Sequence, residues 1–239
     1  MTDLIMQLGG VIQREMDTLR DVSQNIANAN TPGYRATRAF SAFSAFTETM
    51  PSLNVSLGLS SIENRAVIKT DGGALHLTGR ATDLAISGDA WFVLQTPQGQ
   101  QLSRDGRFRV DGAGQLMNQA GYPLLGLSGP LIVGPGVLTV DVTGEVSVDG
   151  QAQGMLKVVR VADSKTIVAS GGGLYATTAP LLLTDRYVIH QGMQERSNAD
   201  LSTDMVKIME VSRHVESVQR ALSAYDGMLN SGINQLGKE

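Results

Sequence analysis

The sequence predicts an α+β protein: discontinuous terminal helices form an α-helical coiled-coil domain, and a mainly antiparallel all-β domain is inserted between them. Three observations carry this expectation. Apolar residues recur at a spacing of seven at both ends of the chain, the period falls to two in the middle, and turn residues separate the short middle runs with no alternation of strands and helices.

With Ile5 at an a position, the N-terminal a series runs Ile5, Ile12, Leu19 and Ile26, with Leu8 and Val22 at d and Glu15 breaking the d series. That is an amphipathic helix of about six turns. Asn25, Asn28 and Asn30 weaken its last turns, and Pro32 disfavours helical geometry at Thr31. Thr31-Pro32-Gly33-Tyr34 then has Pro and Gly at the two central positions of a type II turn, so the chain must reverse there. Residues 36–73 form a connecting arm rich in Ser, Thr and Ala. Its Phe40, Phe43 and Phe46 suit either a helical turn or an extended arm docking aromatics on a neighbour.

The β domain spans 74–194. Its strand candidates are Leu75–Leu77, Leu84–Ile86, Trp91–Gln95, Phe108–Val110, Val137–Val142, Glu145–Val148, Met155–Val161 and Arg186–His190. Asp105-Gly106, Asp111-Gly112, Gly134-Pro135-Gly136, Thr143-Gly144 and Asp149-Gly150 supply the turns. A second heptad stripe follows: Leu201, Ile208, Val215, Leu222, Leu229 and Leu236 at a, with Val211, Val218 and Tyr225 at d. Ser197-Asn198-Ala199-Asp200 is a suitable helix start, with Asp200 and Asp204 near the positive end of the dipole. Residues 1–35 and 195–239 thus make one helical domain. Neither stripe can be buried by a lone helix, so the two pack on each other or on other copies of the chain.

Composition narrows the function classes. Of 239 residues, 42% are apolar and 18% charged, which fits neither a wholly disordered chain nor an integral membrane protein. A net charge of −4 argues against nucleic acid as a partner, because affinity for phosphate needs clustered Lys and Arg. The chain has no cysteine, so disulfides, thiol catalysis and thiolate metal sites are excluded. His76, His190 and His214 make no metal-binding pair at i, i+2 or i, i+4, and no G-x-S-x-G nucleophile turn occurs. Gly171-Gly172-Gly173 lacks the Lys-Ser/Thr ending of a phosphate loop. Arg104, Arg107 and Arg109 around Asp105-Gly106 read as cross-strand pairs or a subunit contact. The expectation is no catalytic residue, no metal, no cofactor and no small-molecule substrate. The first ten residues hold Asp3 and no Lys or Arg, so no cleavable signal peptide is expected.

Three segments carry a resemblance. Residues 23–35, Ser-Gln-Asn-Ile-Ala-Asn-Ala-Asn-Thr-Pro-Gly-Tyr-Arg, resemble the N-terminal signature of bacterial flagellar rod, hook and hook-associated proteins. Asp83–Val93, Leu102–Phe108, Gly114–Leu116 and Gly121–Gly126 resemble the β segment of the rod and hook group. Glu195–Leu201 with Met209–Arg213 is similar to its C-terminal signature. Within the group, length favours a proximal rod subunit, with the distal rod protein FlgG as the near alternative. The resemblance implies a structural subunit that assembles helically into the hollow drive shaft crossing the periplasm. It also implies self-association, partners of the FlgB, FlgC and FlgG types, and export through the flagellar type III apparatus. A reading from a different class is a β-domain binding module or adhesin on a helical stalk.

Overall fold

Trp91-Phe92-Val93-Leu94 is four apolar residues in a row, a pattern that suits a strand buried on both faces. In the computed structural model, which describes residues 2–49 and 56–236 and the side chains of 9–38, 67–225, 227 and 228, all four are at most 1% exposed. Their strand, Trp91–Thr96, lies inside a six-stranded antiparallel sheet. The order is Val168–Gly171, Leu174–Ala176, Gly99–Ser103, Trp91–Thr96, Val158–Val161, Leu181–Leu183.

Because side chains alternate along a strand, this run feeds two cores. Phe92 and Leu94 join Leu84, Ile86, Phe108, Leu124, Val146 and Ile189 on one side. Trp91 and Val93 join Ile68, Leu102, Val159, Ile167 and Tyr175 on the other. Each fully buried side chain of this size contributes roughly 1.5–3 kcal/mol. Phe92 meets Phe108 edge to face with ring centres 5.3 Å apart.

Smaller antiparallel pairs surround the sheet: Leu84–Ser87 with Val188–Gln191, Leu75–Leu77 with Met193–Glu195, and a three-stranded meander of Leu138–Val140, Glu145–Val148 and Gln151–Met155. The meander turns at Asp149-Gly150, where φ is 49° and 80°. Asp-Gly supports both left-handed positions of such a turn at little steric cost.

The chain divides into two compact units, residues 27–37 with 66–199, and residues 1–26 with 38–65 and 200–239. The first holds the β structure just described. The second holds α1 (Thr2–Ala27), α2 (Leu201–Leu236) and most of a two-stranded sheet of Thr37–Thr49 and Ser56–Ile68. Asp200 caps α2, its Oδ1 accepting the N–H groups of Ser202 (3.1 Å) and Thr203 (3.2 Å).

The expected coiled-coil domain is corrected here. The described residues contain two α-helices and a short 3-10 helix at Ser164–Thr166, and the bulk of the chain is antiparallel β structure. It remains an α+β protein, and no coiled coil of terminal helices is shown among the described residues. A coiled coil buries its a and d positions alike. On α2 the d residues Val211 and Val218 are 2% and 8% exposed, whereas Leu201 at a is 41% exposed and Ile208, Val215 and Leu222 are half-buried. Among the described side chains of α1, Val22 and Asn25 are buried, and Ile12, Leu19 and Ile26 are half-buried. The side chains of Ile5, Leu8, Leu229, Leu236 and the three arm phenylalanines lie outside the described residues.

Candidate functional site

The N-terminal and C-terminal signature segments meet in the β-rich unit. Thr31–Tyr34 closes as a turn, with the Tyr34 N–H donating to the Thr31 carbonyl at 3.2 Å. Gly33 has φ +69°, the left-handed region that favours glycine. Space is the second requirement there, because a Cβ on Gly33 would overlap the backbone at Arg104 and Asp105. The Gly33 N–H donates to the Glu195 carbonyl (2.8 Å), the Asn198 N–H to the Tyr34 carbonyl (3.2 Å), and the Ala36 N–H to Asn198 Oδ1 (2.6 Å). Asn198 Nδ2 donates to the Asp71 carbonyl at 2.7 Å. These bonds fix residues 31–36 against 195–198.

Beneath the backbone joint lies a buried charge cluster. Arg35, Arg104 and Glu195 are 1%, 2% and 2% exposed. Glu195 Oε1 accepts the Gly73 N–H at 2.8 Å and lies 2.7 Å from Arg35 Nη2, while Oε2 lies 3.3 Å from Arg104 Nη1. Arg35 donates through Nη1 to the Asp71 carbonyl, and Arg104 donates to the carbonyls of Ile86 (2.7 Å) and Gly88. Two guanidinium groups therefore share one carboxylate in a dry place. Burial pulls both arginine pKa values down, and Glu195 opposes it in each case. The carboxylate is what makes the positions tolerable.

Aromatic side chains close the cluster. The guanidinium carbons of Arg104 and Arg35 sit 5.5 and 5.9 Å from the centre of the Trp91 ring, within cation–π range. Trp91 contacts Tyr175 edge to face at 5.0 Å. The Tyr175 hydroxyl accepts the Arg35 N–H at 2.8 Å, and burial pushes its pKa up to about 12. The site thus holds four distant segments in one arrangement: 31–36, 71–73, 86–104 and 195–198. Its chemistry is positional: the carboxylate, carbonyl and amide groups named above bond to the frame itself, while Arg35 Nε, Arg104 Nε and Trp91 Nε1 are buried without a hydrogen-bond partner among the described residues.

The sequence-predicted residues fall in several places. Asn25 and Tyr34 are buried, Asn28 accepts the Thr31 N–H at 3.0 Å through its carbonyl, and Asn30 and Pro32 line a shallow cleft with His76. His190 lies 3.1 Å from Ser87 Oγ. Of the three arginines around Asp105-Gly106, Arg107 pairs with Asp105 at 2.7 Å and Arg109 is exposed. Arg104 turns inward instead. Sequence reasoning missed this triad because its members are 35, 104 and 195 in the chain; the signal available was an arginine or glutamate inside each signature segment.

Comparison with known proteins identifies the family. Residues 85–156 match the model of the flagellar hook protein FlgE/F/G D1 domain, and residues 190–236 that of the flagellar basal body rod FlgEFG protein C-terminal. The flagellar basal-body rod protein FlgF of Rhizobium meliloti is 32% identical over 95% of this chain and 93% of its own length. FlgF of Caulobacter vibrioides is 33% identical over 95% and 94%. FlgG of Buchnera aphidicola from Acyrthosiphon pisum is 28% identical over 90% and 92%. With similarity running end to end and both signature segments built into one frame, this chain belongs to the flagellar basal-body rod protein family.

Proposed function

We propose that the chain is a structural subunit of the proximal rod in the flagellar basal body, in the position FlgF holds in its relatives, with FlgG as the near alternative. It works by assembling with copies of itself and with other rod proteins. The reading is structural and not enzymatic, in keeping with a family of rod proteins. The observation that carries it is the clamping of Thr31–Ala36 to Glu195–Asn198 by backbone bonds and the Arg35–Glu195–Arg104 cluster. Such a frame holds residues 31–36 and 195–198 in one arrangement within the β-rich unit, as suits a subunit that bears load.

In this reading residues 1–35 and 195–239 form the axial part, 36–73 the arm, and 74–194 the outer domain. The apolar positions Ile5, Leu8, Ile12, Leu19, Val22, Ile26, Leu201, Ile208, Val215, Leu222, Leu229 and Leu236 are the assembly residues. Support comes from apolar surface left open on α2: Leu201, Met205, Val206 and Met209 are 41–54% exposed. Mass spectrometry of purified basal bodies tests the assignment, with electron microscopy locating the tagged chain. Absence of the chain from basal bodies of cells that express it would overturn the reading, and density only in the distal rod would select the FlgG alternative.

A further inference from the structure

The one interruption of the α1 stripe has a partner. Glu15 is 22% exposed and stands among half-buried Val11, Ile12 and Leu19. A carboxylate in an apolar stripe costs stability unless something bonds to it. His214 of α2 does so, its Nδ1 donating to Glu15 Oε1 at 2.8 Å. A carboxylate only accepts, so the proton lies on Nδ1.

We propose that Glu15 and His214 are positioning residues that fix the register of α1 against α2. The reasoning rests on what a slip would do. A shift of one helical turn is about 5.4 Å. The α2 residues one turn to either side of His214 on its own face are Val211 and Val218, which are 2% and 8% exposed. Either slip sets the Glu15 carboxylate against buried valine and leaves it without a donor. Of the nearby α2 cations, Lys207 pairs with Glu210 at 3.3 Å and Arg220 with Glu216 at 3.4 Å within the helix, and Arg213 lies one residue, about 100°, round the helix from His214. An apolar residue at position 15 would tolerate several registers, because the valine and isoleucine neighbours offer no directional bond. The polar pair gives up some burial and selects one alignment. This assignment concerns the helices of a single chain and does not depend on its place in the rod.

The test uses the purified full-length chain and amide exchange of residues 11–22, with residues 91–96 of the central strand as a control for intact folding. His214→Glu places two carboxylates together and Glu15→Lys removes the acceptor for His214 Nδ1; each is expected to speed exchange in α1 about tenfold. The double variant Glu15→Lys/His214→Glu restores an ion pair of reversed sense and should recover more than half of the lost protection, measured as the logarithm of the rate. Recovery of half or less overturns the proposal. So do single variants whose exchange matches the parent chain.

Discussion

Glu195→Gln removes the carboxylate that pairs with both buried arginines of the frame while keeping the side chain's size and an oxygen for the Gly73 N–H. Arg35 and Arg104 would then face each other at 1% and 2% exposure with only the more distant carboxylates of Asp89 and Asp71 to offset them. Removing one partner of a buried ion pair costs about 3–5 kcal/mol. In a chain of this length each kcal/mol lowers the melting temperature by about 2–4 °C, so a fall of about 6–20 °C is expected. Differential scanning calorimetry of the full chain measures it. A second variant separates charge from packing: Glu195→Gln/Arg104→Gln deletes one uncompensated guanidinium and should melt above Glu195→Gln alone. A fall under about 2 °C for the single variant, or a double variant whose losses simply add, would refute the view that charge balance holds these segments together.

Gly33→Val places a branched side chain at φ +69° and overlaps the Arg104 backbone, so a loss of about 2–4 kcal/mol is expected, with Gly33→Ala only slightly milder. Urea unfolding that leaves Gly33→Val within 0.5 kcal/mol of the parent, a limit of about the noise of surface substitutions, would reject the close approach. Tyr175→Phe tests the raised hydroxyl pKa. The folded chain keeps this proton up to about pH 12, whereas the unfolded chain loses it near the ordinary value of about 10, so ionisation draws the protein toward unfolding between those values. The phenylalanine variant should be less stable at pH 8 by about 1 kcal/mol and lose less stability from pH 10 to 12; parallel stability curves would contradict this. Leu222→Ala, at a half-buried α2 position, should reduce incorporation into rods through an interface loss of about 1–2 kcal/mol repeated at every subunit, with unchanged β-domain melting. Normal swimming by that variant would remove Leu222 from the assembly surface.

Much of the fold was legible because its signals are local. The Ile12–Ile26 and Leu201–Leu222 periodicities mark α1 and α2, and Asp-Gly pairs such as Asp149-Gly150 mark hairpins through backbone conformations that few other residues adopt. Strands at Leu84–Ser87, Trp91–Thr96 and Glu145–Val148 announce themselves by apolar density. Gly99–Ser103 does not, being mostly polar, and Leu174–Ala176 and Leu181–Leu183, though apolar, are three residues each, so only their neighbours in the sheet make them strands. The arm at 36–73 was left open between helix and extended chain, and it carries two 13-residue strands that pair with each other. A heptad stripe, for its part, reports that one face is apolar and says nothing about what covers it. That is why α1 and α2 were foreseen and their coiled coil was wrong.

The candidate site was half legible for a related reason. Thr31-Pro32-Gly33-Tyr34 reads as a turn from its own residues, and Ser197-Asn198-Ala199-Asp200 reads as a helix start from its own side chains. What each segment does for the other is invisible locally, since the Ala36 N–H finds its acceptor 162 residues away on Asn198. The joint is made largely of backbone groups: Gly33 to Glu195, Asn198 to Tyr34, Arg196 to Ala74. Buried backbone donors must be satisfied, so the side chains that matter most are those that let main chains approach. Gly73, where a Cβ would collide with the Arg196 carbonyl, and Gly33 against Arg104 perform that service. The charged triad then holds in place what the glycines allow to come close. Substitutions at Gly73 and Glu195 therefore act on one joint and should couple rather than add, because loosening either side removes the alignment on which the other's hydrogen bonds depend.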